Sequence, residues 1–495
     1  MTSSNRVRLA GVAEATYGTT PTTPRMRRQR TTSIGLTFKA DSVESDDIRD
    51  DRMSSDPAIV GQTNGGQIGV EWHWPPDGSL LSEEIQSAFC DAWANTPARD
   101  NDGTADSVIT GLTAATQVVT VANGAAFAAG HLVYFTGFGA GANRNKLAKV
   151  TTGSATAPAF LGAGLVDEAA PAAAARMKVV GFEGAAGDLT ALADGIGSTA
   201  LDLTTFGLAP GRWVKIGGIG AGFRFATDRC NVWARVSGVV SAAKIPLDNL
   251  PGGWAADDGA GKTIRIFIGD WIKNGVSKYG LTLERGFMGQ TVPTFIAQTG
   301  MRVNTLEFGG QAKQKATGSV TFMGLLGASG QVPLDAIPDD APDSNAYPIL
   351  AFSANCGSVR EGGGALGTPN YAKAIKFTIN NNLRAIDAIS TGDDFAPASV
   401  DVEDGSFDVA VELDTYFGND TLLGKVMAGT PTSLNTRMEK GGKALIWEAP
   451  RLIPREGDPS VGGKNQDVML PLRLTASKDS LTGSQLILNR FEFFQ

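Results

Sequence analysis

Two internal repeats, one placed inside the other, constrain the fold of this chain more than any other feature. The smaller pairs Phe127-Ala-Ala-Gly130-His131-Leu132-Val133-Tyr134-Phe135 with Leu208-Ala-Pro-Gly211-Arg212-Trp213-Val214-Lys215-Ile216. Met177-Lys178-Val179-Val180-Gly181 is matched further on by Ile266-Phe267-Ile268-Gly269. Repetition of this kind marks a supersecondary unit used twice. It points to a β-built architecture rather than to an active site.

The larger repeat is one of order and spacing. Thr32-Ser-Ile34-Gly-Leu36-Thr-Phe38-Lys and Gln67-Ile68-Gly-Val70-Glu-Trp72-His73-Trp74 alternate apolar with polar residues, the mark of half-buried strands. Asp77-Gly-Ser79-Leu80-Leu81, with Ile85, Ala88, Phe89 and Ala92, follows at helical spacing behind a competent Asp or Ser cap. Ile375-Lys-Phe377-Thr-Ile379 and Phe407-Asp-Val409-Ala-Val411-Glu-Leu413 alternate in the same way, and Asn419-Asp420-Thr421 opens a short helix through Val426 and Met427. Strand, long loop, strand, capped helix therefore occurs twice. Further strands are expected at 278–284, 301–308, 318–322, 444–448 and 468–474. A connector rich in Pro, Asp and Ala, from about Gly327 to Tyr347, and the Gly362-Gly363-Gly364 loop lie between the two copies. The small repeats read as an insertion into the first copy, at a site where chain ends meet on a surface.

At 495 residues the chain is too long for one core, and roughly three or four domains are expected. The 62 glycines and few charges suit many short strands joined by tight turns. No stretch has the apolar length of a membrane span, and Met1–Arg8 lacks the apolar core of a signal peptide. Cys90, Cys230 and Cys356 cannot all pair, which implies buried free thiols in a reducing compartment. The net charge of −8 argues against a basic nucleic-acid-binding face. Residues 101–270 hold 13 Lys/Arg and 13 Asp/Glu, so the negative excess lies in the remainder.

No catalytic or metal motif survives its context. Gly259-Ala-Gly261-Lys262-Thr263 is close to a phosphate loop, but its first glycine would fall on Ala256 and a strand follows instead of a helix. His73 and His131 have no Cys or His partner at ligand spacing. Because Arg212 replaces His131 in the second repeat, that position is expected at the surface. Asp46, Asp47, Asp50 and Asp51 lack calcium-loop spacing and read as a solvated acidic loop. Arg25, Arg27, Arg28 and Arg30 form the one basic cluster, read as an arm contacting acidic surface on a neighbouring subunit. The acidic run is its candidate mate. Catalytic, cofactor-binding and metal residues are assigned as none, and no cofactor is expected.

Gly11-Val12-Ala13-Glu14-Ala15-Thr16-Tyr17-Gly18-Thr19-Thr20-Pro21, Ser33–Leu36 and Ser42–Arg52 resemble the opening of major tail tube proteins of long non-contractile-tailed bacteriophages. Leu283–Phe287, Gly300–Asn304 and Lys376–Leu383 extend the resemblance towards the other end of the chain. The resemblance implies a mainly β fold: duplicated tail-tube β-sandwich or barrel domains, each with a short flanking helix, plus an inserted pair of small β-rich repeats. The expected segments are tube domain 1 over 1–100 and 271–330, inserted repeats over 101–185 and 186–270, a linker over 331–371, and tube domain 2 over 372–495. It also implies a non-enzymatic virion protein, made in the host cytoplasm, that assembles into rings stacked as a hollow tube. DNA would pass through the lumen without specific binding, and other tail proteins would sit at the tube ends.

Two tube domains per chain favour a trimeric ring with pseudo-sixfold symmetry. A hexamer in which one copy lines the lumen is the alternative. The acidic excess is expected to face the lumen, where it repels phosphates, or else to serve surface solubility. A surface adhesin or carbohydrate-binding β-sandwich protein is the second functional reading. A hydrolase ranks third, since no nucleophile, base and orienter can be named.

Overall fold

The computed structural model describes residues 3–101, 108–122, 127–389 and 399–495. The chain is mainly β, with antiparallel pairing throughout its ladders. The first half contributes β1 (Val7–Ala13), β2 (Ser33–Val43), β3 (Ala58–Glu71), α1 (Leu80–Phe89), β4 (Leu281–Phe287), β5 (Thr294–Gln311) and β6 (Thr317–Gly324). The second contributes β7 (Cys356–Glu361), β8 (Ala372–Asn380), β9 (Asp408–Tyr416), α2 (Thr421–Ala428), β10 (Thr432–Lys440), β11 (Lys443–Gly457) and β12 (Met469–Ala476). A last strand, β13, spans Ile487–Phe491.

Pairing follows the same order in both halves. β1 lies beside β4, β4 beside β5, β5 beside β6, β6 beside β3, and β3 beside β2. Adding six to each number gives the second half: β7 with β10, β10 with β11, β11 with β12, β12 with β9, and β9 with β8. The halves are joined edge to edge, Thr305 to Gln311 of β5 running opposite Asn380 to Ala374 of β8. The result is one continuous run of strands, β2-β3-β6-β5-β8-β9-β12-β11.

Alternation along these strands sends one set of side chains inward. Leu36, Ile68, Val320, Leu306, Phe377, Leu413 and Leu472 belong to a single buried cluster spanning both halves. Aromatic residues fill the seam. The Trp447 ring stacks on Phe308 at 4.9 Å and meets Trp72 edge-on at 5.4 Å. Ser79 caps α1 by accepting from Ser82 N at 3.3 Å.

Between α1 and β4 the chain leaves this body and returns to it. Ala94 and Trp271 exchange backbone hydrogen bonds, so exit and re-entry are neighbours. The intervening block has its own apolar core, which includes Phe135, Phe160, Phe182 and Ile266. His131–Thr136 pairs with Arg176–Glu183, Trp213–Ile216 pairs with Arg265–Ile268, and these two ladders meet at Gly181 opposite Phe267. Gly130 and Gly211 take the same left-handed turn, at φ +89° and +91°, a conformation that strains any residue with a Cβ.

The position after that turn is buried in both repeats, which corrects the expectation of a surface site. His131 is 3 % exposed and Arg212 5 % exposed. The His131 ring accepts from Ala128 N and packs on Phe206, while Arg212 donates to the Gly207 and Gly269 carbonyls. Exchange between copies signalled two ways of hydrogen-bonding to nearby buried backbone, one by accepting and one by donating, not solvent.

The block docks on the second half through Trp213 and Trp233 against Ala444, Ile446 and Phe491, and through Tyr134 stacked on Phe493 at 4.4 Å. Beneath lies a buried ion network. Asp270 accepts from Lys178 Nζ at 2.7 Å and Arg490 Nε at 3.0 Å, and Asp77 bridges Lys178, Arg176 and Arg490. Burial opposes ionisation of Asp77, but the three cations outweigh it and hold the carboxyl well below its usual range.

Candidate functional site

The outward side chains of the continuous strand run form a polar face. Its carboxylates include Asp41, Glu71, Glu307, Asp408, Glu412, Asp414 and Glu456, the last opposite Arg473, and its cations include Lys39, Lys376 and Arg473. Glu307 pairs with Lys376 at 2.6 Å, Asp41 with Lys39 at 3.3 Å, and Arg473 lies 3.5 Å from Glu412 and 3.6 Å from Asp414. Lys315, on the turn before β6, pairs with Glu71. Hydrogen bonding from Thr63, then from Lys39, holds the Asp41 carboxyl below its ordinary range. A shallow trough of about 460 Å³ crosses the joint between the halves, lined by Gln67, Glu307, Ser319, Lys376, Glu412 and Asp414. The face is therefore weakly acidic and laced with ion pairs.

Two strand edges of this run are unpaired among the described residues. β2 bonds to β3 on one side only. β11 bonds to β12 through Leu452–Gly457, and after Leu452, which still pairs with Thr432 of β10, the side away from β12 carries no ladder. An unpaired edge is a template for another strand, so a chain that keeps two must manage them.

The arginines meet the 331–349 segment rather than the acidic run. Arg25 bonds Asp339 at 2.9 Å and Arg28 bonds Asp340 at 2.9 Å. Arg27 donates to the Gly78 carbonyl, and Arg30 to that of Tyr347 at 2.7 Å. Asp46, Asp47, Asp50 and Asp51 lie on the exposed connection between β2 and β3, where Asp51 pairs with Arg49 at 2.7 Å. The structure does not bring the two groups together within one chain. The same connection exposes Ile48 and Met53.

Among the described residues no group of three or more His, Cys, Asp or Glu could hold a metal ion. Both histidines are buried, and burial lowers each to a pKa of about 4. Cys90 and Cys230 are buried and Cys356 is half-buried, all as free thiols. The Gly259–Thr263 segment is a turn leading into the strand Arg265–Ile268. Among the described residues no helix is long and apolar enough to cross a membrane.

Single-motif reasoning missed the polar face, although its signal lay in the alternating strands: Lys376, Thr378 and Glu412 are the polar members of those patterns. A family model described as phage tail tube protein matches residues 4–476. The chain belongs to that family. A search of curated proteins finds no match. As a tail tube protein it is a structural virion component, and membership implies self-assembly into a tube. The unpaired edges and the weakly acidic face are the parts of this tail tube protein available for that role.

Proposed function

We propose that three chains close into a ring with pseudo-sixfold symmetry, and that rings stack into the hollow tail tube through which DNA is ejected. The observation that carries this reading is the repeated strand order joined edge to edge inside one chain. One such joint already exists between β5 and β8. Repeating it between chains removes both free edges, and head-to-tail contacts that close give rings.

On this reading each half is a tube domain and residues 101–270 are an inserted pair of repeats standing on the outside. The polar face lines the lumen. The carboxylates named on it outnumber the cations, a negative excess that disfavours phosphate adhesion at short range. Arg25, Arg27, Arg28 and Arg30 then brace the 331–349 segment at an inter-subunit surface, while Asp46–Asp51 project towards a neighbour.

Negative-stain electron microscopy of the purified protein, with mass determination of any ring, tests the proposal. Hollow tubes or discs of three chains are expected. Rings of six chains would overturn the pseudo-sixfold arrangement, and a persistent monomer at high concentration would overturn ring formation.

A further inference from the structure

The internal duplication specifies how two copies of this chain meet, residue by residue. Ile68 faces Ile34 in the first half as Leu413 faces Ile375 in the second. Val320 faces Ile68 as Leu472 faces Leu413, and Leu306 faces Val320 as Gly457 faces Leu472. Two irregularities check this alignment. The β5–β6 ladder slips between Val303 and Thr305, and the β11–β12 ladder slips between the matching Pro454 and Glu456. Gly309 opposite Thr317 has its counterpart in the bridge between Ser460 and Met469.

Carried over to the free edges, the β5–β8 joint becomes a joint between chains. We propose that Ser33–Lys39 of one chain pairs antiparallel with Glu456–Gly462 of a second, Thr37 opposite Asp458 and Lys39 opposite Glu456. This deepens the ring reading and rests on it.

Three features of the edges agree with this register. Lys39 and Glu456 are both exposed and of opposite charge, a favourable cross-strand pair. A proline, Pro459, falls on the joining edge and cannot donate to a ladder. In the template joint, Asn381 N bonds Asn304 O and Ala312 N bonds Lys373 O, so by alternation Phe308 and Phe377 form a hydrogen-bonded pair. Their counterparts are Pro459 and Leu36. The missing donor thus falls opposite the Leu36 carbonyl, which already accepts from Arg285 Nη1 at 2.7 Å. No buried acceptor is orphaned.

The third feature is the bare second helix. On α1 the following half supplies Asn381, whose amide donates to the Ala88 carbonyl at 3.0 Å, and Phe407, whose ring lies 6.4 Å from that of Phe89. Among the described residues no equivalent neighbour covers α2, and Met427 is 80 % exposed. A second chain docked through β2 supplies the missing neighbour on that side.

Paired cysteines in the full-length protein test the register. Non-hydrogen-bonded positions bring Cα atoms within disulfide range. Thr37→Cys with Asp458→Cys should yield a closed covalent three-chain species under mild oxidation. The yield should be about tenfold above that of Thr37→Cys with Ser460→Cys, two residues out of register. As an independent check, Lys39→Glu and Glu456→Lys should each weaken ring formation and together restore it. Rings that crosslink only in the shifted pair, or whose charge reversals do not compensate, overturn the register while leaving the ring. A parent protein that forms no rings overturns the ring reading and the register with it.

Discussion

The two helices occupy the same place in the repeated strand order, yet their surroundings differ almost completely. α1 is buried along nearly its whole length, whereas only Leu422 is buried in α2. Sequence follows environment. Glu84 on α1 is wholly buried, with the Gln29 amide as its side-chain partner at 2.8 Å, while Lys425 on α2 reaches Glu361 at the half-exposed surface. α1 is covered by the second half, by Arg490 through Ser82, and by Tyr279. α2 lacks equivalent cover. A duplicated fold need not be duplicated in its stability, because each copy is completed by whatever follows it.

The largest test of this comparison concerns the shared seam. Trp447 belongs to the second half but stacks on Phe308 of the first. Trp447→Ala should cost about 3–5 kcal/mol in urea unfolding. A single transition is expected for parent and variant, since one apolar cluster serves both halves. Two separated transitions would show the halves to be independent.

The helix environments predict a pH dependence. Burial raises Glu84 to about 8, so between about pH 4.5 and 8 the native chain keeps a proton that the unfolded chain has released. That contribution is fully present at low pH and is lost as the pH rises through this window. Glu84→Gln should flatten that part of the profile and stabilise the protein at pH 8, by on the order of a few kcal/mol. An unchanged slope of urea-derived stability between pH 5 and 8 would contradict the burial argument.

The smallest effect separates the caps. Ser79→Ala should cost about 1 kcal/mol, because Ser79 accepts from Ser82 N. Asp420→Ala should stay within about 0.5 kcal/mol, since Asn419 rather than Asp420 accepts from Thr421 N at 3.1 Å. Thermal unfolding of the two variants side by side measures the difference.

Much of the repeated plan was legible because β2, β3, β8 and β9 alternate cleanly and each helix carries a cap-like residue. Strands β1 and β7 were not. Val7–Ala13 has no clear alternation, and Cys356–Glu361 lies in a stretch whose Gly and Pro content reads as connector. Likewise Leu326–Gly330, at the start of that stretch, is a strand paired with β5. Gly362 and Gly363 make the tight hairpin of β7 with Gly364–Ala365 rather than a loose loop. Edge strands of this kind are specified by partners distant in sequence, which no local pattern encodes. The partners of the Arg25–Arg30 cluster were missed for the same reason. Asp339 and Asp340 stand over 300 positions away, whereas the acidic run nearby in sequence is not nearby in space.

The last strand has a consequence for how the protein is made. β13 lies between Asp270–Lys273 and β11, and its Arg490 completes the ion network around Asp77 and Asp270. During synthesis the first half emerges early, and Lys178 and Arg176 follow to pair with its buried carboxylates, yet the Arg490 bonds to Asp77, Asp270 and Ser82 of α1 must wait until residue 490 leaves the ribosome. The strand acts as a latch, so the first half reaches its finished shape only after β13 has been made.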